Sequence, residues 1–268
     1  MNRIIIKYYF FKELLSKLNN NLLIKFNYNN DDLFNYSSFI DLPSYYYFYK
    51  KSKPFFNKNV FNNDHEIFLK FISELVLNID RKNDFDNLLF IYGLISSYIL
   101  DKNMDNYYEL NEIEDKNIIN NMLDYYLMKN KDNYDLSSNY LFKCFKNVNY
   151  TNKMKQLIHY PFVKIYNQFG ETQFINNCYK KRKSFYKHYA IKNIFSPKFI
   201  FKKKKYKLNY RYIKYDNVDE KLLNDLDNII NKSIFEVNEY LDSINLYLFE
   251  NKDKSFRKLF NINDDYKF

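Results

Sequence analysis

Apolar residues recur at helical spacing along most of this chain, and the pattern predicts an architecture made of helices. Leucines three or four positions apart predict a first helix over residues 11–26. Apolar residues on one face predict a second helix that begins after Asn63 or Asp64, both good N-cap residues. The longest apolar run, over residues 88–100, predicts a buried core helix.

The second half of the chain continues the pattern. Further helices are predicted over residues 111–128, 138–147, 152–168 and 171–191, and a long last helix is predicted to begin near Asp219. Two stretches interrupt the helices: a loop over residues 27–63, and an alternating apolar and basic segment over residues 198–215 that permits a short hairpin. No run of strands alternates with the helices, so we expect an all-α fold. We expect one multi-helix domain over residues 1–250 and a loosely held C-terminal tail over residues 251–268.

Length and composition narrow the class of protein. A chain of 268 residues suits a single domain, and its two glycines form no glycine-rich phosphate loop. No segment reaches the ~18 apolar residues that a membrane span requires, and the N-terminus is not a secretory signal. Cys144 and Cys178 have neither disulfide-framework nor metal-site spacing. These features predict a cytoplasmic protein with buried, reduced thiols.

Charge is concentrated in one segment, the basic block of residues 180–215. The block contains fourteen Lys and Arg and no acid, whereas the whole chain has a net charge of +10, so the remainder is net acidic. Its densest runs are Lys180, Lys181, Arg182 and Lys183, and Lys202, Lys203, Lys204 and Lys205. The interleaved aromatic residues suit a nucleic-acid backbone with stacked bases, and the cations also suit anionic lipid headgroups. A solvated surface segment of a lysine-rich chain explains the same pattern.

The segment around Gly93 resembles a known family. The run from Tyr92 to Tyr108 is similar to the central helix of the bacterial zinc-dependent phospholipase C family, which reads Tyr-Gly-x-x-x-His-x-x-Leu-Asp-x-x-x-His-Pro-Tyr. The scaffold residues of that pattern present here are Tyr92, Gly93, Leu100, Asp101 and Tyr107. Weaker matches follow in the family's order at residues 8–15, 42–50, 123–128 and 207–210. The resemblance implies an all-α fold and a site of several zinc ions held by histidines and acids.

Most of the zinc ligands that the resemblance implies are replaced in this chain. The degenerate ligand positions are Lys7, Ser44, Ser97, Lys116 and Asn120. The chain has three histidines, His65, His159 and His188, and only His65 falls near a ligand position. Asp101 is the one clear surviving ligand, and Asp105 stands where the family has a second histidine. Asp101, Asp105 and His65 therefore form a weak candidate set for one hard cation.

These replacements predict a change of chemistry at the site. A catalytic zinc centre needs several ligands that converge on each ion, and without them a bound water is not acidified enough for hydrolysis. Buried near Asp101 or Asp105, Lys7 or Lys116 would offset the lost metal charge by forming an ion pair. We hypothesise that internal salt bridges replace zinc and that the chain has no cofactor. Zinc is expected only if the ligand positions are assigned incorrectly.

The sequence accordingly predicts a degenerate, non-hydrolytic phospholipase C-like protein that acts as an interaction protein or on an anionic lipid surface. One alternative is a weakly active, metal-dependent phosphodiesterase or phospholipase that uses Asp101, Asp105 and His65. Another is a basic RNA- or ribosome-associated protein that uses the basic block. The sequence does not identify the partner.

Overall fold

Helices account for almost all of the described structure. The computed structural model describes residues 4–18, 34, 36, 37, 39, 64–79, 85–130, 152–166, 175–181 and 219–262. In chain order the helices are α1 (Ile4–Lys17), α2 (His65–Leu77), α3 (Phe85–Leu110), α4 (Lys116–Asn130), α5 (Asn152–Tyr166), α6 (Glu220–Glu250) and α7 (Lys254–Leu259). Residues 175–181 are also helical, and the described residues contain no strand. The predicted all-α fold class is confirmed.

Helix α3 lies at the centre because it is apolar on every side for about four turns. Every residue from Asn87 to Asp101 is buried, and a helix of that kind must be surrounded by other elements. Helices α2, α5 and α6 pack against it. The buried apolar side chains of the described residues form one continuous core, which extends from Ile5 in α1 to Phe260 beyond α7.

Helices α3 and α6 run antiparallel, and polar pairs between them set their register. The Tyr92 hydroxyl donates to Asn245 Oδ1 at 2.7 Å, and the Tyr107 hydroxyl donates to Asp225 Oδ2 at 2.9 Å. The later residue of α3 bonds to the earlier residue of α6, so the two helices run in opposite directions. Burial, and then the hydrogen bond to Asp225, raise the pKa of Tyr107 to about 12. The buried stripe of α6 consists of Leu226, Ile230, Ile234, Val237, Leu241, Ile244 and Leu248.

Helix α1 begins at Ile4, seven residues before the predicted start at Phe11. Its first turn is capped from another helix, because the buried Asp124 of α4 accepts a hydrogen bond at 2.9 Å from the backbone N–H of Ile6. A carboxylate at a helix N-terminus satisfies an unpaired donor and interacts favourably with the helix dipole. The spacing of leucines in α1 cannot indicate a cap that another helix supplies, so the sequence did not predict the early start. Residues 19–33 lie outside the described residues.

Local caps explain where the other helices begin. The Asp64 side chain accepts from the backbone N–H groups of Glu66 and Ile67 at the start of α2, and Asp219 caps α6. Both predicted starts are confirmed. Helix α4 begins at Lys116 rather than at the predicted Asn111, because the intervening residues form a turn. In this turn Glu112 adopts the left-handed conformation, with φ of 53°. The turn ends at Asp115, whose side chain accepts hydrogen bonds from two backbone N–H groups of the first turn of α4.

The prediction of a loosely held tail over residues 251–268 is wrong for residues 251–262. Asn251 ends α6 in the left-handed conformation with φ of 54°, so the chain reverses and α7 packs back on α6. The Phe256 ring stacks on Tyr247 with centroids 4.5 Å apart, and the Phe260 ring meets Tyr240 edge-on. Burial of these two phenylalanines holds the segment in place. Residues 263–268 lie outside the described residues.

The remaining predictions fall mostly outside the described residues. Within the predicted loop over residues 27–63, positions 34, 36 and 37 are helical and Phe34 and Phe39 are buried, so this part is not a loop on the surface. The segments 138–147 and 198–215 are not described, and 175–181 is the described part of the predicted helix over 171–191. None of the described helices combines the length and apolar character that crossing a bilayer requires.

Candidate functional site

A buried ion pair joins α1 to α3 at the surviving candidate ligand. The Lys7 ammonium lies 2.7 Å from Asp101 Oδ2, and the two side chains are only 5% and 12% exposed. The sequence offered two lysines and two aspartates for such a pair, and the structure brings Lys7 onto Asp101. A buried carboxylate without a cation is strongly unfavourable, so each member of this pair requires the other.

The neighbouring polar groups are also buried and bonded. Asp124 of α4 accepts from the N–H of Ile6, the residue before Lys7. Asn120, a degenerate ligand position one turn earlier on α4, accepts a hydrogen bond from the Tyr108 hydroxyl of α3. The polar side of this region is therefore occupied by hydrogen bonds among α1, α3 and α4.

Ser97 lies one turn before Asp101 on the same face of α3. The side chain is completely buried. Among the described residues its Oγ has no hydrogen-bond partner. A serine hydroxyl is a weak metal ligand compared with the imidazole that the resemblance implies at this position.

His65 is the first residue of α2, and its ring packs against a different part of α3 from Asp101. Its Nδ1 is 3.1 Å from the Tyr98 hydroxyl, and its Nε2 is 3.5 Å from the Lys102 ammonium. Because an ammonium group only donates, Nε2 is the acceptor and the proton of the neutral ring is assigned to Nδ1, which donates to Tyr98. The ring also lies parallel to Tyr98, which stacks on Phe68.

Burial, and then the nearby Lys102 charge, hold the pKa of His65 below its ordinary value of 6.5. The carboxylates of Glu236, Asp64 and Glu66 act in the opposite direction without outweighing these two effects. His65 is therefore a neutral bridge between α2 and α3 at neutral pH, with both ring nitrogens engaged.

The structure does not assemble Asp101, Asp105 and His65 into a ligand set. Asp105 lies four residues after Asp101 on α3 and seven after Tyr98, so it is close to the face that carries Asp101, but the His65 ring bonds to Tyr98 and Lys102. No group of three or more His, Cys, Asp or Glu side chains in the described part of the chain is placed to hold a metal ion. Asp101 already has a cationic partner, and both nitrogens of His65 have partners. These residues do not fit a zinc centre.

Lys116 does not enter the core, so the expectation that it pairs with a buried aspartate is wrong. Its ammonium lies 3.9 Å from Glu109 Oε1, and this pair is solvent-exposed. The start of α4 at Lys116 directs the side chain along the end of α3, where it also lies over the Tyr108 ring. It therefore compensates no buried charge.

Other predicted site residues are described only in part. In the basic block, Lys180 is exposed and Lys181 is half-buried at the end of the helical residues 175–181. The positions outside the described residues are Ser44, Arg182, Lys183, Lys202, Lys203, Lys204 and Lys205, together with Cys144 and His188. Cys178 is buried and His159 is exposed.

Sequence reasoning missed the partners of His65 and the cap that Asp124 supplies. Tyr98 and Lys102 are four residues apart and share a helix face, a local signal that they could bind one group together. Nothing local connected them to His65 on α2. Asp124 lies within the weak family match over residues 123–128, and its position on α4 beside the buried Leu123 and Leu127 is the available sign of its burial.

Comparisons with protein-family models, with curated proteins and with solved structures find no match for this chain.

Replacing Lys7 with methionine is expected to lower the free energy of unfolding by about 3–5 kcal/mol, because the buried Asp101 loses the ammonium that neutralises it. The double variant Lys7→Met/Asp101→Leu is expected to recover most of that loss, because neither charge of the pair remains. Urea denaturation measures both. Lys252→Met is the control, since its pair with Glu250 is exposed and should contribute less than about 1 kcal/mol. A loss in Lys7→Met no larger than the control's would contradict the buried pair.

The stability of the protein is expected to fall as the pH drops below 6.5 because of His65. Its pKa is lower in the folded protein than in the unfolded chain, so acid favours the unfolded state, which binds the proton more readily. Its contribution is complete above pH 6.5 and is lost as the pH falls through the folded pKa. His65→Gln should flatten this part of the stability profile, measured by urea unfolding across the pH range. A profile as steep in His65→Gln as in the unaltered protein would refute the assignment.

Proposed function

We propose that this chain is a non-hydrolytic protein on a phospholipase C-like helical frame, which acts through its surface and binds anionic lipid. The buried Lys7–Asp101 ion pair is the observation that supports the absence of hydrolytic activity. Lys7 stands at a position where the resemblance implies a histidine ligand, and it bonds to the one clear surviving ligand.

The ion pair supports loss of hydrolytic chemistry through its charge and its geometry. An ammonium group neutralises a carboxylate, but it has no vacant coordination position and does not acidify a bound water as zinc does. A metal ion at Asp101 would have to displace the Lys7 ammonium, whose side chain is only 5% exposed, so a buried cation would lose its carboxylate partner. The site is therefore organised for structural stability.

The lipid-binding part of the proposal rests on the basic block. Fourteen cations without an acid produce a strong local positive potential, which attracts an anionic surface at about 1 kcal/mol for each well-placed cation. The described part of the block contains the exposed Lys180 at the end of a helical segment anchored by the buried Ile175 and Cys178. The interleaved aromatics suit the headgroup region, where amphipathic rings are enriched.

Restoring histidines tests the proposed origin of the site. Lys7→His/Ser97→His places two imidazoles beside Asp101, with residues 97 and 101 at the i, i+4 spacing that converges on one metal ion. We expect the purified variant to hold zinc, and the unaltered protein to hold none at stoichiometric level, by elemental analysis. Ser16→His/Lys17→His adds two exposed histidines that do not face each other and serves as control. Stoichiometric zinc in the unaltered protein, or none in the restored variant, would overturn the assignment.

Vesicle co-sedimentation tests whether the basic block binds anionic lipid. The protein is expected to bind phosphatidylcholine vesicles that contain phosphatidylserine, to ignore pure phosphatidylcholine, and to dissociate in high salt. Reversing Lys180, Lys181, Arg182 and Lys183 to glutamate should weaken binding at least tenfold, given roughly 1 kcal/mol per cation. The matched control reverses four lysines elsewhere, Lys221, Lys232, Lys252 and Lys254. Equal losses in both variants, or binding to single-stranded RNA but not to vesicles, would contradict the proposal.

A further inference from the structure

Ser97, like Ser96 and Ser243, is a buried helical serine whose hydroxyl has no partner among the described residues, and it lies one turn before Asp101 of the buried ion pair. Two other buried serines do have a partner. The hydroxyl of Ser73 donates to the Lys70 carbonyl at 2.8 Å, and that of Ser233 donates to the Ile229 carbonyl at 2.7 Å. Helical serines commonly satisfy their hydroxyl in this way. The Ser97 side chain is completely buried, and its Oγ has no partner among the described residues. A buried hydroxyl without a partner is destabilising, and native proteins almost always satisfy such groups with protein or ordered water.

The surroundings of Ser97 are polar enough to hold water. Asp101 lies one turn further along the same face of α3 and is paired with Lys7. Side chains four residues apart on a helix have Cβ atoms about 5–6 Å apart, which is close to the span of one water molecule with a hydrogen bond on either side. Gly93, one turn before Ser97 on that face, contributes no side chain to fill the space.

We propose that an ordered water molecule binds between Ser97 Oγ and the Lys7–Asp101 ion pair. A buried water needs two to four polar partners. Here the serine hydroxyl, the carboxylate and the ammonium provide three, since a carboxylate accepts about four hydrogen bonds and an ammonium donates three. The water satisfies the Ser97 hydroxyl and extends the network around a charge pair that is otherwise withdrawn from solvent.

The proposed function accounts for the small side chain at this position. Where the resemblance implies an imidazole, the chain has the much smaller serine side chain, and a water molecule occupies part of the difference in volume. This explanation rests on the proposed function. The hydration of Ser97 does not, because it follows from the burial of the hydroxyl and the position of the ion pair.

Counting long-lived internal waters by water-oxygen magnetic relaxation dispersion tests the proposal on the full-length protein. Ser97→Ala is expected to remove one such water. Ser73→Ala is the matched control, because its hydroxyl bonds to a backbone carbonyl, and it should leave the count unchanged. Lys7→Met/Asp101→Leu should also expel the water, and adding Ser97→Ala to that variant should expel no more.

Thermal unfolding gives a second readout with opposite expectations for the two interpretations. If the hydroxyl is bonded to water, Ser97→Ala lowers the Tm by about 2–4 °C, the shift expected for loss of one net hydrogen bond in a chain of this size. If the hydroxyl is unsatisfied, its removal leaves the Tm unchanged or raises it. An unchanged water count in Ser97→Ala would overturn the proposal whatever the zinc content of the histidine variant, so the two proposals fail separately.

Discussion

Helix α1 packs on two buried carboxylates. The arrangement of the core around α1 depends on each carboxylate having a cation or a hydrogen-bond donor beside it. Asp101 of α3 receives the Lys7 ammonium, and Asp124 of α4 receives the N–H of Ile6. Two consecutive residues in the first turn of α1 therefore stabilise the two carboxylates in different ways. Lys7 neutralises Asp101 with a full charge, and Ile6 stabilises Asp124 with a hydrogen bond and the positive end of the helix dipole. A shift of α1 by one residue would break both of these interactions, so they select one position of α1 among many that would bury the same apolar surface.

The net stabilisation from such a pair is expected to be small, because desolvation of both charges offsets their attraction. Its importance lies in the asymmetry between a complete pair and a broken one. Apolar packing of α1 against α4 and α6 is not directional, and Ile5, Ile6, Phe10 and Phe11 would tolerate several orientations. The ion pair penalises all but one of them.

Helix α3 distributes distinct polar interactions among its faces. Tyr92 and Tyr107 bond to α6, Asp101 bonds to α1, and Tyr98 and Lys102 bond to the His65 ring on α2. Since neighbouring residues on a helix point about 100° apart, Asp101 and Lys102 serve different partners although they are adjacent in sequence. The ion pair of Asp101 and the hydrogen bonds of His65 explain why the candidate metal ligands do not form one set.

Much of the secondary structure was determined by signals within a few residues of each other. The caps at Asp64 and Asp219, the buried run of α3 and the apolar stripe of α6 depend on contacts three or four positions apart, and the sequence by itself predicted them. The sequence also reduced the expected cationic partners of Asp101 to Lys7 or Lys116. Only the tertiary structure decided between these two lysines, because each lies far along the chain from Asp101 and the packing of α1 and α4 determines which one arrives. The early start of α1, the partners of His65 and the packing of Phe256 and Phe260 on α6 were decided in the same way, by contacts between elements that leave no periodic trace in the sequence.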